Sequence, residues 1–133
     1  MKPRNTEVQR HSLILAAAFA APVLLLLSVF MNLGVYPFGE GTFLRADMNS
    51  QYSAFITYLR SILLGENDLF YSFSMNGGGN FYFLYTYYLA NPFNWLMALV
   101  PAEDIPQALT FFILIRFGLC SLTMSLYLRR IRP

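Results

Sequence analysis

Charge is scarce in this chain. Only 12% of its 133 residues are Asp, Glu, Lys or Arg, about half the share a soluble domain carries on its surface. So thin a charged skin, with 56% hydrophobic residues, excludes an ordinary water-soluble globule and makes lipid the solvent for much of the surface. The formal net charge of +2 is too small for a nucleic-acid-binding surface, and no nucleic-acid partner is expected. Histidine and cysteine are almost missing. His11, the only histidine, lies among polar residues ahead of the first apolar run and reads as a solvated flank. Cys120, the only cysteine, lies inside an apolar run as a small membrane-buried hydrophobe. One thiol supports no disulfide framework and no C-x-x-C metal or redox site.

What the chain has instead is long uncharged stretches. Leu13 to Val35 contains no charge, and its 23 residues make a helix of roughly 34 Å, enough to cross a hydrocarbon core of about 30 Å. Pro22 within it would break a soluble helix but is tolerated in a membrane. A cleaved signal peptide is disfavoured, because the run is too long and no small-residue cleavage site follows it. A second span is expected over Gln107 to Leu128, ending at Arg129, Arg130 and Arg132 with Pro133 as a stop.

The charges orient these spans. Residues 1–12 carry Lys2, Arg4 and Arg10 against Glu7, and residues 129–133 carry three arginines. Between the spans, residues 36–106 carry Arg45 and Arg60 against six carboxylates. Both basic ends are therefore expected in the cytoplasm and the acidic connection outside. Phe81 to Val100 is a further uncharged stretch. If it crossed, it would place the C-terminal arginines outside and the Glu103/Asp104 turn inside, against that rule. Its tyrosines, phenylalanines and Trp95, interrupted by Asn91-Pro92, instead suit helices lying at or dipping into the outer interface, with the three-span arrangement as the alternative. The expected fold is an all-α membrane protein, with two transmembrane helices (13–35 and 107–128) joined by a long outer loop of amphipathic and interfacial helices.

The loop, at 71 residues, is too long to lack structure of its own. Asp47 to Leu64 reads as an amphipathic helix, with Tyr52, Phe55, Leu59 and Ile62 on one face, Asp47 as N-cap and Gly65 as stop. Glu66-Asn67-Asp68 follows as an acidic turn. Then comes Ser74 to Asn80 with three consecutive glycines, read either as a flexible or sterically tight turn or as backbone N–H groups able to approach an anion.

Asp47-x-x-x-Gln51-Tyr52, the turn Gly77-Gly78-Gly79-Asn80-Phe81, and Tyr87-Tyr88-Leu89-x-Asn91-Pro92-Phe93 occur in one order along the chain. Together they resemble the N-terminal portion of the bacterial YfhO family, large multi-span membrane proteins related to the GT-C glycosyltransferases. The resemblance extends from the first span to Arg132. Such proteins continue through many more spans, so the chain is expected to be an N-terminal piece or a truncated relative. The resemblance implies a multi-pass protein of the bacterial cell membrane that transfers a sugar from a polyprenyl-phosphate donor to a cell-envelope polymer or lipid. It further implies additional transmembrane helices or a membrane partner, and no catalysis by this chain alone. The alternative is a small non-enzymatic membrane hairpin that oligomerises or serves as an accessory subunit.

By the same resemblance, Asp47 stands where an acidic residue after the first span acts as base or helps hold a metal. A carboxylate within hydrogen-bond reach of an acceptor hydroxyl can take its proton. The competing reading is the helix cap, worth about 1 kcal/mol. Gln51, Tyr52, Asn80, Tyr87 and Tyr88 are the matching candidates for substrate contact, although aromatic residues in this region also serve as interfacial anchors. Glu66 and Asp68 are the runner-up carboxylates. Two acids alone make no calcium or magnesium site, so a divalent metal is left without a clear site. Arg116 lies about 13 Å into the second span, where an arginine costs about 2.5–3.5 kcal/mol and so implies a partner. That partner is either an ion pair with another span, water reached by snorkelling, or the phosphate of a carrier lipid, which its planar donor fork suits.

Overall fold

The computed structural model of the chain describes residues 3–74 and 77–131. Lys2, Arg132 and Pro133, invoked above as flanking charges and stop, lie outside the described residues, as do Met75 and Asn76 of the glycine turn. Among the described residues the regular structure is helical, and extended backbone meets only in two isolated bridges. The chain divides into two compact units, Met1–Gly41 with Phe111–Pro133, and Thr42–Thr110.

The first unit is built on α1 (Pro3–Leu33) and the greater part of α5 (Ile105–Ile131). Both helices are long and apolar enough to cross a membrane. Helix α1 continues through Pro22. In its most apolar stretch only 6% is buried within the protein, and Leu24 and Leu25 are 64% and 65% exposed. Several polar side chains on these helices bond back to their own backbone. Ser28 Oγ donates to the Leu25 carbonyl at 2.7 Å, Asn32 Nδ2 to Ser28 at 2.7 Å, and Thr123 Oγ1 to Leu119 at 2.9 Å. A hydroxyl or amide satisfied in this way needs no water and sits in hydrocarbon at little cost.

Helix α1 stops two residues before Val35 because Gly34 takes a left-handed φ of +62°. The Val35 N–H then reaches back to the Phe30 carbonyl at 2.9 Å, and the Gly34 N–H points to Met31 at 3.5 Å. Phe30 and Val35 are buried together with Leu114, the apolar contact that accompanies this kind of helix end. Further along, Gly118 of α5 lies against Phe19 of α1. A Cβ built on Gly118 would come within 2.6 Å of the Phe19 ring, so the missing side chain is what allows this approach.

The second unit has a core of its own. The chain enters it through a π-turn, Met48–Tyr52, which leads directly into α2 (Ser53–Leu63). Helix α2 buries Ile56 and Leu59, with Phe55 and Ile62 half-buried on the same side. It ends in the same way as α1. Gly65 has φ +80°, its N–H bonds Ile62 at 2.9 Å, and the Glu66 N–H bonds Ser61 at 2.8 Å. The stretch 81–100 is a chain of short pieces rather than one helix: α3 (Phe81–Leu84), a π-turn (Tyr85–Leu89), α4 (Pro92–Trp95) and a 3-10 turn (Leu96–Leu99). None is long enough to cross a bilayer. Asn91 breaks the stretch, its Oδ1 accepting from the Phe93 N–H at 3.0 Å with Pro92 in the first helical position. Phe81, Leu84, Leu89, Met97, Ile105 and Leu109 complete the core.

Candidate functional site

Asp47 opens the π-turn at the start of α2. It was expected to cap the helix, and it does not: its side chain makes no capping hydrogen bond. The reason is backbone conformation. A capping residue stands in the extended region, whereas Asp47 is already helical at φ −60° and ψ −26°. Its carboxylate is exposed. Gln51, one turn on, is exposed as well.

Tyr52 faces inward and makes the main polar contact of this end. Its hydroxyl lies 3.4 Å from Oδ1 and 3.3 Å from Nδ2 of Asn94, whose Nδ2 also donates to the Leu89 carbonyl at 3.1 Å. Asn94 is fully buried. It therefore ties α2 to the 85–95 segment, and the Phe55 and Tyr88 rings, 6.1 Å apart, join the same two segments. Sequence reasoning missed Asn94. The local signal was Asn91-Pro92 as a helix start, which puts Asn94 on the first turn of α4, but nothing in the sequence links it to Tyr52, 42 residues away.

The other candidates are placed as follows. Tyr88 is half-exposed and carries Tyr87 edge-on at 4.6 Å, while Tyr87 itself is 74% exposed. Asp47, Gln51, Tyr52, Tyr87 and Tyr88 thus belong to segments joined at the N-terminal end of α2. Asn80 has a different position and a structural role. It caps α3, its Oδ1 accepting from the Tyr82 N–H at 2.9 Å, and the next residue, Phe81, packs on Tyr58 with ring centroids 4.5 Å apart. Arg116 lies in the first unit, half-buried on α5, with Nε shut off from solvent.

The runner-up carboxylates lie toward the other end of α2, which is roughly 16 Å long at 1.5 Å per residue. There an open groove of about 570 Å³ is lined by Glu66, Asn67 and Asp68 together with Tyr58, Tyr71 and Phe73. Asp68 Oδ1 accepts from the Phe70 and Tyr71 N–H groups and so shapes the turn. The triple glycine proves sterically tight at one position. A Cβ on Gly78 would fall 2.3 Å from the Tyr71 hydroxyl oxygen, so Gly78 makes room for that ring. Among the described residues no group of three or more His, Cys, Asp or Glu is placed to hold a metal ion.

No curated protein and no solved structure matches the chain. The family described as bacterial membrane protein YfhO does match, over residues 17–132. That region takes in most of α1, the whole loop unit and α5, and with it every candidate residue above. Two apolar helices of spanning length, a helical fold and this match lead to one conclusion: the chain is a membrane protein of the YfhO family.

Proposed function

We propose that the protein takes part in transferring a sugar from a polyprenyl-phosphate donor to a cell-envelope polymer or lipid at the outer face of a bacterial membrane, with Asp47 as general base. The observation that carries this reading is the state of Asp47. Its carboxylate is exposed and makes no capping hydrogen bond, so the structural role that competed with catalysis is not filled. An alcohol is a poor nucleophile until such a group takes its proton. Exposed Gln51, Tyr87 and Tyr88 stand on the segments joined at that end of α2 and offer an amide and rings to a sugar. Arg116 is assigned to the carrier-lipid phosphate, for which a guanidinium is well shaped.

The loop unit is placed outside the membrane and both ends of the chain inside. Arg10, Arg129 and Arg130 flank the spans, while the loop carries Glu40, Asp47, Glu66, Asp68, Glu103 and Asp104. Further membrane helices, of the same protein or of a membrane partner, would enclose the donor. The test is Asp47→Asn in the full chain, assayed for sugar transfer in native membranes. General-base loss should lower transfer by about 10²–10⁴-fold. Unchanged transfer removes Asp47 from the chemistry.

A further inference from the structure

The groove at the C-terminal end of α2 lies away from Asp47, and its lining chemistry is distinct. Glu66 and Asp68 border it, and no Lys or Arg does. The three glycines do not line it, and an anion entering here would meet two carboxylates and no cation among the described lining residues. A divalent metal is equally ill served, since one oxygen of Asp68 already accepts two backbone N–H groups. What remains is an acidic groove with aromatic walls. Tyr71 and Phe73 stand perpendicular with centroids 5.0 Å apart, and Tyr58 lines the same space. Phe73 is 78% exposed and Tyr71 half-exposed, so both have surface to offer a ligand.

We propose that this groove binds an ammonium group: the carboxylates of Glu66 and Asp68 supply charge complementarity, and Tyr71 and Phe73 supply ring faces for the cation. Rings and acids together recognise an ammonium better than either alone, because the ring faces add an attraction that solvent-screened carboxylates do not supply. The walls are held in place by the fold. The Tyr58 hydroxyl lies 3.4 Å and 3.3 Å from the carbonyls of Asp68 and Tyr71, and Gly78 admits the Tyr71 ring. The ammonium has two plausible bearers, an amino sugar or an aminated lipid headgroup, and the chemistry recognised is the same.

The inference does not rest on sugar transfer, and binding alone tests it. The full chain in uncharged maltoside micelles is titrated with glucosamine, with N-acetylglucosamine as its neutral counterpart, and with ethanolamine. Saturable glucosamine binding at least tenfold tighter than N-acetylglucosamine is expected. Glu66→Gln with Asp68→Asn should weaken it at least tenfold, since Asn keeps the oxygen that accepts from the turn. Phe73→Ala, at a ring 78% exposed whose one ring contact is with Tyr71, should weaken it about threefold. Preference for glucosamine over ethanolamine assigns the ammonium to a sugar, and the reverse assigns it to a headgroup; either supports the proposal. Equal binding of the two sugars, no saturable binding of glucosamine or ethanolamine, or full binding by the double variant would overturn it. An inactive Asp47→Asn protein that still binds glucosamine would separate the two sites.

Discussion

The helix pair and the loop unit are both rich in apolar residues but dispose of them differently. Helix α1 leaves much of its apolar surface outward, with Leu24, Leu25 and Leu33 each well over half exposed. The loop unit turns Ile56, Leu59, Phe81, Leu89, Met97 and Ile105 almost wholly inward. Polar groups differ in part. On α1 and the later part of α5, Ser28, Asn32 and Thr123 bond back to carbonyls of their own helix. In the loop unit Ser53, Thr57 and Thr110 also bond back locally, but Tyr52 and Asn94 reach across sequence as well, and Arg60 donates to the distant Val100 carbonyl. Two solvents account for the difference. A helix in lipid gains nothing by hiding leucine and must satisfy each polar group locally. A segment that meets water gains by burying apolar area and can keep its hydroxyls and carboxylates outside.

The sharpest way to break this comparison lies two residues apart. Phe81 is 1% exposed and stacks on Tyr58, whereas Phe83 is 75% exposed. Phe81→Ala should destabilise the loop unit by about 3–5 kcal/mol. Phe83→Ala should change it by no more than about 0.5 kcal/mol. Trp95, the only tryptophan, lies in this unit and reports its unfolding by fluorescence in micelles. Equal effects at the two positions would mean that the unit has no water-type core.

The converse test belongs to α1. On a protein surface in water, a leucine as exposed as Leu24 tolerates lysine within about 0.5 kcal/mol. In a bilayer the same change costs about 3 kcal/mol in apparent insertion energy. Leu24→Lys should therefore lower the inserted fraction of α1 severalfold, measured by the accessibility of tags on either side of the membrane. Insertion equal to the parent chain would remove lipid as the solvent of that face.

Much of this division was legible in the sequence. Uncharged runs mark the long helices, because nothing but lipid or a large core makes such runs stable. Gly65 and Asn91-Pro92 mark where backbone conformation changes, and the three- and four-residue spacing of Tyr52, Phe55, Leu59 and Ile62 gives the inward side of α2. The rest was hidden for physical reasons. The π-turns at Met48–Tyr52 and Tyr85–Leu89 differ from an α-helix by one residue per hydrogen-bonded ring, too little to disturb a hydrophobic pattern. The Tyr52–Asn94 contact is set by tertiary packing. The groove beside Glu66 is walled in part by Tyr71, which lies against Gly78, a proximity that three glycines in a row do not announce. The family resemblance supplied Asp47, but whether that residue caps a helix depended on its own φ and ψ.

That last point gives the smallest predicted effect and the one most useful for function. Asp47 and Asn80 both precede a helical turn, but only Asn80 makes the capping bond. Asn80→Ala should cost the loop unit about 1 kcal/mol. Asp47→Ala should shift its unfolding by less than about 0.5 kcal/mol, since no bond is lost. A carboxylate kept without structural benefit is available for chemistry, so a near-zero stability change paired with a large loss of sugar transfer is the pattern a catalytic base leaves. A loss near 1 kcal/mol on removing Asp47 would instead show that it caps in solution, and would return the residue to the ordinary work of starting a helix.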